Sequence, residues 1–137
     1  MDSIVIYTDG GARGNPGPAG AGIVIYEGEK KISELKQYLG ERQTNNWAEY
    51  EAVAIALAEA RRLGFSERAL EIRMDSMLVV EQLMGNWKIK EPALKMQATK
   101  VRALLSYFPD SKFVHVRREL NAEADALVNE VLDEAVN

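Results

Sequence analysis

Four carboxylates, Asp9, Glu49, Asp75 and Asp125, stand where surface solvation does not account for them. Asp9 and Asp75 each follow a short apolar stretch that reads as a buried strand, and ligands of α/β sheets bind beyond such strand ends. Either acid alone would equally suit a turn or a helix cap. Glu49 is more telling. On a helical wheel at about 100° per residue it falls among Tyr50, Val53, Ala56, Leu57 and Ala60, while Glu51, Glu59 and Arg62 share the other side. A lone charge on an apolar stripe is costly unless it is paired, protonated or bound to a cation. In a purely structural reading Arg73 or Arg42 would pair with it. Asp125 opens the last helix beside Val128 and Leu132, where the helix dipole alone would also favour an acid.

Other catalytic equipment is scarce. The chain of 137 residues has no Cys and one His, which removes thiolate metal sites, disulfide scaffolds, cysteine nucleophiles and His-rich centres. A hydrolytic enzyme built from this set would work through carboxylates, with or without a hard cation bound through oxygen. Convergence of the four acids would make a negative centre tolerable only with divalent cations. Mg²⁺ suits such a site because it binds a few carboxylates together with water and substrate phosphate. Two such ions about 4 Å apart activate water on one side and stabilise the leaving oxygen on the other.

The elements that must position these acids are legible in outline. Ile4 to Tyr7 reads as a central strand ending at Asp9, and the Gly- and Pro-rich segment Gly10 to Gly20 as loop or turn. Ala21 to Tyr26 and Lys31 to Gly40 make a second and third strand at hairpin distance. Asn46 to Leu63, Ala-rich and free of Gly and Pro, is a helix stopped by Gly64. Leu70 to Met74 alternates as a fourth strand, and Asp75 and Ser76 offer a cap for a short helix to about Leu83. Pro92 suits the first turn of a helix reaching about Tyr107, Lys112 to Val116 is a last strand, and Asn121 caps a helix from Ala122 to about Asp133. Three strands, helix, strand, helices, strand and helix describe one layered α/β domain over residues 1–137.

Charge is uneven along this order. Residues 1–85 carry 9 basic and 13 acidic side chains, residues 86–118 carry 8 and 2, and residues 119–137 carry none and 6. A basic stretch inside an acidic chain is a candidate contact for an anionic partner, or else a solvated face balanced by its neighbours. Apolar runs such as Ile4 to Tyr7 fall far short of the ~20 residues of a membrane span, and the acidic start at Asp2 lacks a secretory pattern. A cytoplasmic location without membrane contact is expected.

The motifs now resemble a known family, type 1 ribonuclease H, which cleaves RNA paired with DNA. TDGGARGNPGPAGAG at Thr8 to Gly22 is similar to its opening strand, acid and glycine-proline turn. TNNWAEYEA at Thr44 to Ala52, MDS at Met74 to Ser76 and RELNAEADAL at Arg118 to Leu127 follow in the family's order, carrying Glu49, Asp75 and Asp125. The resemblance implies a five-stranded mixed sheet flanked by helices. It implies an endonuclease in which Asp9, Glu49, Asp75 and Asp125 hold two Mg²⁺ or Mn²⁺ ions on the scissile phosphate, leaving 5′-phosphate and 3′-hydroxyl ends. It would set Gly11, Asn15 and Asn45 against the RNA minor groove, where the 2′-hydroxyl distinguishes RNA from DNA. Thr44, Asn46 and Ser76 would hold a DNA phosphate, and Trp87 would lie against a deoxyribose. The alternatives are core packing for Trp87 and helix capping for Asn45 and Asn46. Lys88, Lys90, Lys95, Lys100 and Arg102 would contact the hybrid backbone, giving salt-sensitive binding by a monomer.

Three departures from the family pattern stand out. The path from Gly85 to Pro92 is too short for the extra basic helix of many bacterial members. The loop before the last acid reads Arg117, Arg118, Glu119, Leu120 and lacks their histidine, so Arg118 or Glu119 is the candidate to assist there; His115 reads as a packed strand residue. Met77 follows Ser76 where some members have Gln. The rival readings are a non-catalytic hybrid-binding module and another nuclease of the same fold.

Overall fold

The computed structural model describes residues 3–135. Its centre is a mixed five-stranded sheet in the order β3-β2-β1-β4-β5. The strands are β1 (Ile4–Ala12), β2 (Gly17–Glu27), β3 (Lys30–Gln43), β4 (Leu70–Met74) and β5 (Ser111–His115). Between and after them come α1 (Asn45–Arg62), α2 (Met77–Leu83), α3 (Pro92–Leu105), a 3₁₀ turn (Arg118–Asn121) and α4 (Ala122–Ala135). The first three strands form an antiparallel meander, whereas β4 and β5 join in parallel to β1 and to each other. This is the expected five-stranded mixed sheet flanked by helices.

The alternating side chains of β1 and β2 send their two faces to different helices. Ile4, Ile6, Ala21, Ile23 and Ile25 join the main core with Val53, Leu57 and Ala60 of α1 and with Leu94, Ala98 and Val101 of α3. The opposite face, at Gly20 and Gly22, meets Ala124, Leu127 and Val131 of α4. Burying this apolar interior at about 25 cal/mol per Å² is what holds the layers together.

The Gly- and Pro-rich segment is mostly strand, contrary to the loop expected from Gly10 to Gly20. Asp9, Gly10, Gly11 and Ala12 pair with Gly22, Ala21, Gly20 and Ala19, so the turn shrinks to 13–16, closed by Arg13 N–H donating to the Pro18 carbonyl at 2.8 Å. The glycines serve close packing there. A Cβ on Gly10 would lie 2.2 Å from the Ala48 carbonyl oxygen of α1, and one on Gly22 would lie 2.3 Å from that of Ala124 in α4. Composition cannot separate a glycine that turns the chain from one that admits a helix.

Three further details depart from expectation. Thr44 caps α1, its Oγ1 accepting from Trp47 N–H at 3.2 Å, so neither Asn45 nor Asn46 is the cap. The Asn121 amide donates instead to the Thr8 carbonyl across 2.9 Å, tying the entry of α4 to β1, and a 3₁₀ turn precedes the helix. Glu59, assigned to the solvent side of α1, is buried; it accepts from Ser33 Oγ at 2.7 Å and pairs with Arg62, whose hydrogen bond holds its carboxyl below the usual range. Among the described residues no helix lies between Leu83 and Pro92, in keeping with the short path read there.

Candidate active site

Parallel pairing sets the first two acids side by side. The β1–β4 register runs from Ile4↔Leu70 to Tyr7↔Arg73, and continued by two residues it brings Asp75 opposite Asp9. The close crossing at Gly10 brings the first turns of α1 down onto β1, where Gly10 N–H donates to Glu49 Oε1 at 2.8 Å. The matching crossing at Gly22, the register partner of Asp9, brings in Ala124 and with it Asp125. Two glycine contacts and one parallel register thus converge four elements on one point.

Oxygens of Asp9, Glu49 and Asp75 lie within 4.8 Å of one another. Asp125 stands beside this trio, near enough for its charge to act on Asp9. All four line an open cleft of about 770 Å³ at this end of the sheet. Asp9 and Glu49 are each 7% exposed, and Glu49 pairs with neither Arg73 nor Arg42: Arg73 bonds Glu71 and Tyr7.

Such crowding makes the charged forms expensive. Burial, then the charges of Asp75 and Asp125 and the favourable interaction of a protonated Asp9 with the Asp125 carboxylate, push the Asp9 carboxyl up to about 8, with Arg118 pulling weakly the other way. Burial and the charge of Asp9 raise Glu49 well above the carboxylate range, against the Gly10 amide. The set consists only of carboxylate oxygens, with no Lys or Arg ion pair to these four acids among the described residues. A hard divalent cation that prefers oxygen fits this donor chemistry.

The other sequence-derived candidates divide. Gly11, Asn45, Ser76, Arg118 and Glu119 line the same cleft. Asn15 stands at its edge, its side-chain oxygen accepting from Asn45 N–H at 2.9 Å, while Asn45 Oδ1 accepts from Ala12 N–H at 3.1 Å. Thr44 and Ser76 cap α1 and α2, and Asn46 follows on the half-buried first turn of α1. Trp87 is outside the cleft. It is 45% exposed, which excludes core packing, and lines a separate hollow of about 390 Å³ with Lys95, Thr99 and Arg102. His115 is exposed at the end of β5 and lines the acid cleft, a correction to the packed strand residue expected from its pattern. Arg13 and Asn129 also line the cleft and were not singled out from sequence; the signal for Asn129 was its place one helical turn after Asp125.

Residues 7–131 match the family model described as "Reverse transcriptase-like". The chain is 45% identical over 130 residues to a protein named ribonuclease HI of Halobacterium salinarum, covering 94% of this chain and 64% of that protein. It is 44% identical over 134 residues to a bifunctional protein of Mycobacterium tuberculosis, covering 96% of this chain and 36% of that one. The chain thus spans from about a third to just under two thirds of the length of these relatives. The crystal structure of LC11-RNase H1 in complex with an RNA/DNA hybrid superposes with a TM-score of 0.93 at 46% identity, covering 98% of this chain and all of that one. The chain belongs to the ribonuclease H family, of type 1, within the group described as reverse transcriptase-like.

Proposed function

We propose that the protein is an endonuclease that hydrolyses the RNA strand of RNA–DNA hybrids. The observation that carries this reading is the convergence of Asp9, Glu49 and Asp75 within 4.8 Å in an open cleft that Asp125 also lines. The hybrid bound by LC11-RNase H1, a relative matched along its whole length, supports the substrate class.

In this reading two Mg²⁺ or Mn²⁺ ions held by the four acids would supply the positive charge that activates water and stabilises the leaving oxygen. Asp9 from within β1 and Asp75 from just beyond the end of β4 anchor the centre. Glu49, oriented by the Gly10 amide, stands toward the RNA 2′-hydroxyl, and Asp125 stands on the side of the attacking water. Products would carry 5′-phosphate and 3′-hydroxyl ends. Gly11, Asn15 and Asn45 face the RNA minor groove, where amide donors and acceptors suit 2′-hydroxyls. Thr44, Asn46 and Ser76 take a DNA phosphate, and Trp87 takes a deoxyribose. Arg118 or Glu119 stands in for the loop histidine of other members, and both reach the cleft. All four acids come from one chain, so a monomer suffices.

The test is cleavage of an end-labelled RNA–DNA hybrid with Mg²⁺, Mn²⁺ or EDTA, with single-stranded RNA as control. Internal cuts confined to the RNA strand of the hybrid, dependent on the cation and leaving 5′-phosphates, are expected. Tight hybrid binding without cleavage under either metal would leave a binding module instead.

A further inference from the structure

Asp125 differs from the other three acids in how it is held. It projects from the first turn of a helix, where Asp9 is fixed within the paired strand β1, Asp75 by the end of β4 and Glu49 by a backbone amide. One turn along α4, Asn129 donates through Nδ2 to the Asp125 carbonyl at 3.1 Å, with Asp125 Oδ2 at 3.5 Å. The amide is oriented from its other end: Arg13, in the β1–β2 turn, reaches Asn129 Oδ1 at 3.4 Å and the Asn129 carbonyl at 3.5 Å, and is clamped by Asp133 Oδ1 at 2.7 Å. A cation beside Oδ1 keeps the donor end of the amide turned toward Asp125. Residues 116 positions apart in sequence thereby share one chain of contacts along the cleft wall.

We propose that Arg13 and Asn129 are positioning residues for Asp125. They tie the β1–β2 turn to α4 and aim the carboxylate at the acid centre, with its second oxygen steadied by an amide donor. Groups that orient a ligating side chain typically change metal affinity or activity 10–100-fold when removed. This inference rests on the reading of Asp125 as a cation ligand. Lys36 provides an internal control, because it also straps α4 to the sheet, through Glu134 at 2.8 Å and Glu130 at 3.5 Å, without touching Asp125.

The experiment compares wild type with Asn129→Ala, Arg13→Ala and Lys36→Ala in two readouts. One is the rise in melting temperature produced by Mg²⁺ alone; the other is the Mg²⁺ concentration giving half-maximal cleavage of an RNA–DNA hybrid. Asn129→Ala should raise that midpoint about tenfold and blunt the Mg²⁺-induced stabilisation, and Arg13→Ala should do the same more weakly, about threefold. Saturating Mg²⁺ should recover most of kcat, and Lys36→Ala should leave both readouts at wild-type values. An Asn129→Ala midpoint within about twofold of wild type, or an equal shift in Lys36→Ala, would overturn the proposal. A wild type with neither Mg²⁺ response would overturn both this inference and the metal reading beneath it.

Discussion

The acid cleft and the Trp87 flank are built on opposite plans. In the cleft, four acids from β1, α1, the end of β4 and α4 are held by backbone register and close helix crossings, two of them almost wholly buried. On the flank, Trp87 stands out from the segment after α2, and Lys88, Lys90 and Lys95 are long, exposed side chains. In the proposed reading the first region is preorganised at a cost in stability, and the second would adjust to the hybrid at little cost. Effects of substitution should differ accordingly, in size and in the constant they change.

The sharpest break is at the acids. Asp9→Asn or Asp75→Asn should lower kcat about a thousandfold or more, several kcal/mol of barrier, with hybrid binding retained. Steady-state cleavage beside a binding titration checks this.

The crossings come next. Gly10→Ala drives a methyl into the Ala48 backbone, and Gly22→Ala into that of Ala124, neither of which moves without its helix. Each should cost about 1–3 kcal/mol or more by denaturant unfolding and reduce cleavage together with stability.

Burial and charge crowding at Asp9 predict an inverted pH dependence in EDTA. Asp9 sits at about 8 when folded against an ordinary 3.8, so the native state binds the extra proton. Its contribution is therefore complete below pH 4 and falls away as pH rises toward 8. Metal-free wild type should melt lower at pH 8 than at pH 6, and Asp9→Asn should flatten that difference and gain on the order of 1 kcal/mol or more at pH 8. Calorimetry in EDTA reads both.

The flank should give the smallest effects. Lys95→Ala should weaken hybrid binding evenly across sequences and reduce the salt slope by about 1, with kcat unchanged. Trp87→Ala should weaken binding by about 1–2 kcal/mol, also through KM. A loss in kcat at either position would erase the contrast between the regions.

Much of the cleft was legible because strong local signals mark it. The ends of the apolar runs pointed to Asp9 and Asp75, although β1 in fact continues past Asp9 to Ala12, and an out-of-pattern charge on an apolar stripe marked Glu49. What stayed hidden depends on pairs distant in the chain. Gly10 read as a loop residue, and Gly22 as an ordinary strand position, because close approach of a helix leaves no periodicity, and Glu59 read as solvated because Ser33 lies on another element. His115 shows the same limit, since its alternation with Phe113 says which face it shares and nothing about where the covering helices end.

The central claim, that the four acids act together as one cation-dependent centre for cutting RNA, is tested most directly by following a hybrid labelled on both strands through a Mg²⁺ series with wild type and Asp125→Asn. Cuts restricted to the RNA strand, rising with Mg²⁺ in wild type and nearly absent in the variant at every concentration, are the result predicted. Cleavage that persists in EDTA, falls on the DNA strand, or survives loss of Asp125 would contradict it.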